Sequence, residues 1–89
     1  MTELNVPAGL APAQRAQIKS LICEILEIDP DGVTETSLFS EDHGADSLRA
    51  IEILAALERT LKVSIDQEEL VRMTNLEGVY TVVTEASAR

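Results

Sequence analysis

Phe39 and Tyr80 are the only aromatic residues in a chain of 89, yet 45% of its residues are hydrophobic. A core must therefore be assembled from Leu, Ile, Val and Ala, side chains suited to packing helix on helix, and an all-α fold is expected. The length suffices for one domain, because chains much below about 60 residues bury too little surface to be stable alone.

The apolar spacing divides the chain into segments. Residues 1–11 have no periodicity and contain Pro7 and Gly9, which reads as a flexible leader ahead of a helical bundle over residues 12–89. Pro12 suits a first helical turn, and Ile18, Leu21, Ile22, Ile25 and Ile28 follow at helical spacing, predicting helix one. Pro30 and the turn pair Asp31-Gly32 end it near Ile28. Cys23 lies outside the centre of that face and is expected to be a partly covered structural thiol. As a lone cysteine it has neither a disulfide partner nor a zinc-spaced companion. From Asp29 to Asp46 no period is sustained, which predicts a long loop anchored by Val33, Leu38 and Phe39. Asp46 to Leu61 is rich in helix formers behind an acidic N-cap and predicts helix two. Asp66 and Glu69 have capping-box spacing ahead of a short helix three. Thr74 and Glu77 repeat that spacing before a last helix with Leu76, Val79, Tyr80, Val83 and Ala86 on one face. Gly78 counts against this helix by about 1 kcal/mol relative to alanine. The expected architecture is a four-helix bundle with a short third helix and a long loop between helices one and two.

Charge narrows the partners. Sixteen acids against seven bases give a formal net charge of −9. Such a surface repels nucleic acid phosphates and anionic lipid headgroups, so neither nucleic acid nor membrane is an expected partner, and basic protein surfaces are favoured. Residues 41–70 carry eight of the acids and three of the bases, a concentration that favours a docking surface over an evenly solvated one. The chain has no apolar run long enough to span a bilayer and no secretory signal, so a cytoplasmic location is expected. Because it begins with Met1 and ends soon after its last helix, a freestanding chain is expected, taken as a monomer. Asp29-Pro30-Asp31-Gly32 resembles part of a calcium loop, but Gly32 is fourth where the sixth position is required, and no metal site is expected.

On helix two, Ala50, Ile53, Leu54, Leu57 and Leu61 share the side expected to be core. Leu48, Glu52, Ala55 and Arg59 share another side, which should face solvent or a partner. Ser47 opens this helix, where unpaired amides and the positive end of the dipole favour an attached anion. Gly44 and Ala45 add little bulk on the approach. On these residues alone Asp46-Ser47 also reads as an ordinary N-cap followed by the first helical residue. No base and orienting group can be assembled around Ser47 or His43, so Ser47 does not read as a nucleophile, and His43 reads as a solvated loop residue.

The run Asp42-His43-Gly44-Ala45-Asp46-Ser47-Leu48 resembles the GADSL signature of acyl carrier proteins. The likeness continues through Leu26–Pro30, Phe39, Ile51-Glu52-Ile53, Ala56-Leu57-Glu58 and Asp66, covering roughly residues 15–86. It implies a non-catalytic carrier of acyl intermediates, held as thioesters on a 4′-phosphopantetheine arm that coenzyme A supplies to Ser47. It also implies that Asp46 and Leu48 are read by a phosphopantetheinyl transferase, and that Glu52, Ala55 and Glu58 belong to the partner-recognition face. The partners implied are an acyltransferase, a ketosynthase or other pathway enzymes with basic docking surfaces. Long acyl chains would be sheltered by Ile51, Ile53, Leu57, Val63 and Ile65. Arg49, Arg59 and His43 depart from the strongly acidic fatty-acid pattern and point towards a polyketide or related specialised pathway. Two alternatives fit the same residues: a peptidyl or aminoacyl carrier, and an unmodified acidic helical module that binds a basic partner.

Overall fold

The computed structural model describes residues 10–88. It comprises α1 (Pro12–Leu26), a 3₁₀ turn (Pro30–Gly32), α2 (Phe39–His43), α3 (Ser47–Leu61), a 3₁₀ helix (Gln67–Arg72) and α4 (Leu76–Ser87). No strand occurs among the described residues, so the all-α class is the one observed. Of the expected leader, residues 1–9 lie outside the described residues. Leu10 is half-buried against the core, and Ala11 is the N-cap of α1, where its N–H donates to Gln14 Oε1 at 2.9 Å.

α1 ends two residues earlier than expected, because Glu27 turns the backbone into the left-handed region (φ 58°). Its buried face also differs. Ile18 and Ile22 are fully buried as expected, but so is Cys23, at 3% exposure, while Leu21 and Ile25 are only half-buried. The expectation of a peripheral Cys23 is corrected: the thiol belongs to the same buried core cluster as Ile18 and Ile22, so α1 is covered over a wider arc than one periodic stripe.

The long connection is ordered, not irregular throughout. Asp31 N–H donates to Asp29 Oδ1 (3.0 Å), and Thr34 and Ser37 exchange backbone-to-hydroxyl bonds (3.1 and 3.0 Å). α2 follows, with Leu38 N–H donating to Asp42 Oδ2 at 2.7 Å. A helix of five residues is too short to leave a readable period, which is why the sequence predicts loop there. Val33 and Phe39 are buried and Leu38 half-buried, as expected of anchors. Two backbone bonds, Phe39 N–H to Thr74 O (2.9 Å) and Glu77 N–H to Glu35 O (3.0 Å), fasten this connection to the entry of α4.

α1 packs along α3, and the 3₁₀ helix lies against both α3 and α4. Ile53, Leu54 and Leu57 are the buried stripe of α3, joined by Ala56; Ala50 and Leu61, expected in the core, are only half-buried at its two ends. The short third helix is 3₁₀, and Asp66 makes no side-chain cap; Glu69 N–H instead donates to the Asp66 carbonyl at 3.0 Å. The cap of α4 is Asn75, one residue beyond the expected Thr74, with Gly78 N–H donating to Asn75 Oδ1 at 2.8 Å. The expected face of α4 is buried at Leu76, Val79, Val83 and Ala86, half-buried at Tyr80, and widened by Val82. Arg72, at the end of the 3₁₀ helix, donates from both terminal nitrogens to Glu85 (2.9 and 2.8 Å), and its Nη1 donates also to Glu69 Oε1 (2.9 Å), tying that helix to the last turns of α4.

Candidate functional site

The chain reaches Ser47 through a reversal at Gly44, which closes α2 in the left-handed region (φ 70°). A Cβ there would meet nothing within 4 Å, so the glycine answers to backbone conformation and not to crowding. Gly44 N–H donates to Ser40 O (3.2 Å) and Ala45 N–H to Phe39 O (2.8 Å), which fixes the direction of the approach. Asp46 is then extended (φ −104°, ψ −177°) and caps α3, its Oδ1 accepting from Arg49 N–H at 3.0 Å. Ser47 is the first residue of α3 and is exposed. The amides of Ser47 and Leu48 belong to the first turn and have no acceptor within the helix, so a phosphodiester on Ser47 Oγ would meet free donors and the positive end of the helix dipole. The residues present therefore fit a 4′-phosphopantetheine group.

Beside Ser47 opens a cavity of about 350 Å³ between α2, the start of α3 and the 3₁₀ helix. Its apolar lining is Phe39, Ala45, Ala50, Ile53, Leu70 and Met73, and its polar lining is Ser40, Asp46, Ser47 and Thr74. Of the residues expected to shelter a chain, only Ile53 lines it. Ile51 is 42% exposed, Leu57 and Ile65 are core, and Val63 packs against the core. One wall of the cavity is α3, through Ser47, Ala50 and Ile53; the rest comes from the connection between α1 and α3 and from the 3₁₀ helix and the residues after it, segments without a periodic signal.

The other candidates separate into two groups. Leu48 is 67% exposed, and Glu52, Ala55 and Arg59 are also exposed, forming the solvent-facing side expected of this helix. Glu58 behaves differently: it is half-buried, and its Oε2 accepts from Ile65 N–H at 2.9 Å, so one carboxylate oxygen holds the segment after α3. His43 is not freely solvated, since its Nε2 lies 3.0 Å from Ser37 Oγ within the connection. Arg49, noted in the sequence only as a departure from an acidic pattern, reaches across to α1. Val71 is 80% exposed on the 3₁₀ helix and carried no sequence signal. Among the described residues, no group of His, Cys, Asp or Glu could hold a metal, and no helix is long and apolar enough to cross a membrane.

The family pattern described as the phosphopantetheine attachment site matches residues 16–83, a span that includes α2, all of α3 and the 3₁₀ helix. The chain belongs to the acyl carrier proteins of this family. An acyl carrier protein of Streptomyces avermitilis named for polyketide-8 synthase, number 1, is 71% identical over 79 residues, 89% of this chain and 94% of that one. A second carrier of that organism, polyketide-8 synthase acyl carrier protein 2, is 36% identical over 70 residues, 79% of this chain and 80% of its own. Among solved structures, a chain in the ishigamide ketosynthase/chain length factor superposes with a TM-score of 0.75 at 34% identity, covering 89% of this carrier and all of that chain. Carriers of this family use 4′-phosphopantetheine as their prosthetic group, which agrees with the donor set at the start of α3.

Proposed function

We propose that Ser47 is the attachment point of 4′-phosphopantetheine and that the chain carries acyl intermediates of polyketide biosynthesis. The observation that carries this reading is an exposed hydroxyl at the first position of α3, beside free amides and a largely apolar cavity. When bound, the group supplies a terminal thiol able to hold acyl units as thioesters. The chain's own residues do the rest. Asp46 holds the first turn in place, and Gly44 and Ala45 leave the approach to the hydroxyl unobstructed by bulk. The cavity lined by Phe39, Leu70 and Met73 offers an apolar wall for apolar cargo.

The protein itself catalyses nothing and acts as a cytoplasmic monomer. Its partners are a phosphopantetheinyl transferase, an acyltransferase, a ketosynthase and other enzymes with basic docking surfaces. They meet Asp46, Leu48, Glu52 and Ala55, with Glu58 contributing through its remaining carboxylate oxygen. Docking of this kind is fast and weakens with salt, as suits a carrier that must leave each enzyme in turn. The polyketide assignment draws support from the 71% identity to a carrier named for a polyketide synthase.

The test is intact-protein mass after incubation with coenzyme A, magnesium and a promiscuous phosphopantetheinyl transferase. Wild type should gain one phosphopantetheine and Ser47→Ala none; equal gain in both, or none in wild type, contradicts the reading. Offering malonyl and aminoacyl donors to the loaded protein then separates a polyketide carrier from an aminoacyl carrier.

A further inference from the structure

Arg49 lies two residues after Ser47, where an uncompensated cation would oppose docking of basic partners. Its surroundings give it a different employment. One terminal nitrogen, Nη1, donates to the carbonyl oxygen of Ile25 in the last turn of α1, and the other, Nη2, lies 3.5 Å from Glu27 Oε2. Nε is 3.8 Å from Glu52 Oε1 one turn along α3. The neighbouring α1 carbonyls are already served by the chain: Ile28 N–H donates to Cys23 O and Glu27 N–H to Glu24 O. The Ile25 carbonyl is one of the acceptors that a helix end leaves over, and the guanidinium meets it at the negative end of the α1 dipole. Arg49 is also held from below, since its backbone N–H donates to the Asp46 cap.

From this geometry we infer that Arg49 is a positioning residue for the modification of Ser47, a clamp that fastens the first turn of α3 to the last turn of α1. The inference rests on the assignment of Ser47 as the attachment point. In that reaction Ser47 Oγ forms a bond to the phosphorus of coenzyme A that bears the pantetheine. The bond from that phosphorus to the departing 3′,5′-ADP breaks, and the hydroxyl proton passes to a base of the transferase. A hydroxyl held still at the helix start favours this step; one on a loosened first turn must be ordered by the transferase each time. Three of the guanidinium's contacts reach two different helices, which a lysine, offering one compact charge, cannot reproduce. The charge is meanwhile shared with Glu27 and Glu52, which softens its repulsion of basic partners.

The experiment is steady-state loading of apo wild type, Arg49→Ala and Arg49→Lys by one transferase, with amide hydrogen exchange measured on the same proteins. The clamp predicts that Arg49→Ala lowers kcat by roughly tenfold to a hundredfold. KM should stay within about twofold, because the docking side chains are untouched. Arg49→Lys should recover only part of kcat. Exchange should quicken at Arg49, Ala50 and Ile51 while the amides of α4 keep their wild-type protection. A kcat at the wild-type value, with KM lowered, would mean that Arg49 acts as a repulsive surface charge and would overturn the inference. Loss of protection throughout the chain would do the same, by making the residue a general stabiliser. If wild type gains no phosphopantetheine, it is the Ser47 assignment itself that fails, a result distinct from loading that proceeds unaffected by Arg49.

Discussion

The carbonyl oxygen of Arg72 lies where a side chain on Gly78 would begin: a Cβ built on Gly78 would stand 2.0 Å from it and 3.1 Å from the Arg72 carbonyl carbon. The end of the 3₁₀ helix therefore rests directly on the first turns of α4, and the contact is backbone, which cannot swing aside.

Gly78→Ala is accordingly expected to destabilise the fold. Alanine would gain the helix about 1 kcal/mol in propensity, but displacing packed backbone costs about 1–3 kcal/mol or more. Urea denaturation should show a lowered midpoint. An unchanged or raised midpoint would show that the 3₁₀ helix can lift away without cost. The same substitution should alter the cavity beside Ser47, since Leu70, Met73 and Thr74 flank the displaced carbonyl in sequence.

Glu52 and Glu58 should part company on mutation. Glu58→Ala strips Ile65 N–H of its carboxylate acceptor and should cost about 1–2 kcal/mol. Glu52→Lys, at an exposed position, should change stability by less than about 0.5 kcal/mol while slowing turnover with basic partner enzymes. Thermal melts and partner assays on the two variants check both statements. Equal stability losses would remove the distinction between a docking acid and a structural one.

Stability should decline in alkaline solution for a specific reason. Burial raises the Cys23 thiol above its ordinary value of 9.0 and the Tyr80 phenol above 10.0. Between the ordinary and raised values the folded chain holds more protons than the unfolded chain, so stability is fully present below the ordinary value and falls as pH rises above it. Urea midpoints should hold near neutrality and begin to drop as pH passes the ordinary thiol value. Cys23→Ala, though less stable at neutral pH, should show a shallower drop; an equally steep one would exclude the thiol as a cause.

Much of this was legible from side-chain spacing. α1, α3 and α4 each run long enough to display a helical period, and Asp46, Ser47 and Leu48 stand where an acidic cap followed by helix formers puts them. What escaped has physical causes. α2 is shorter than two turns, and the 3₁₀ helix has a different repeat, so neither leaves a 3.6-residue stripe. Cys23 is buried in a cluster whose members range from Ile18 to Ala86, which no local pattern encodes. The cavity beside Ser47 is closed against α3 by those same short elements, and the clamp by Arg49 joins residues 24 positions apart. Gly78 is the plainest instance: the propensity scale marks it as a cost, whereas the packing requires it.

Asp46→Ala should separate capping from recognition. Loss of the bond to Arg49 N–H is expected to cost about 1 kcal/mol, in line with other acidic caps. Asp46→Asn keeps a capping oxygen but loses the charge, so it should restore stability while leaving transferase loading impaired. Full recovery of loading by Asp46→Asn would assign the residue to helix capping alone.

The central claim is best tested by locating the modification within the sequence. Ser40 is the discriminating neighbour, because its side chain lines the same cavity as Ser47 but belongs to α2, away from any long-helix start. Tandem mass spectrometry of peptides from the transferase-treated protein should find the phosphopantetheine on Ser47 and on no other hydroxyl. Phosphopantetheine on Ser40, or on any residue outside the first turn of α3, would contradict the account.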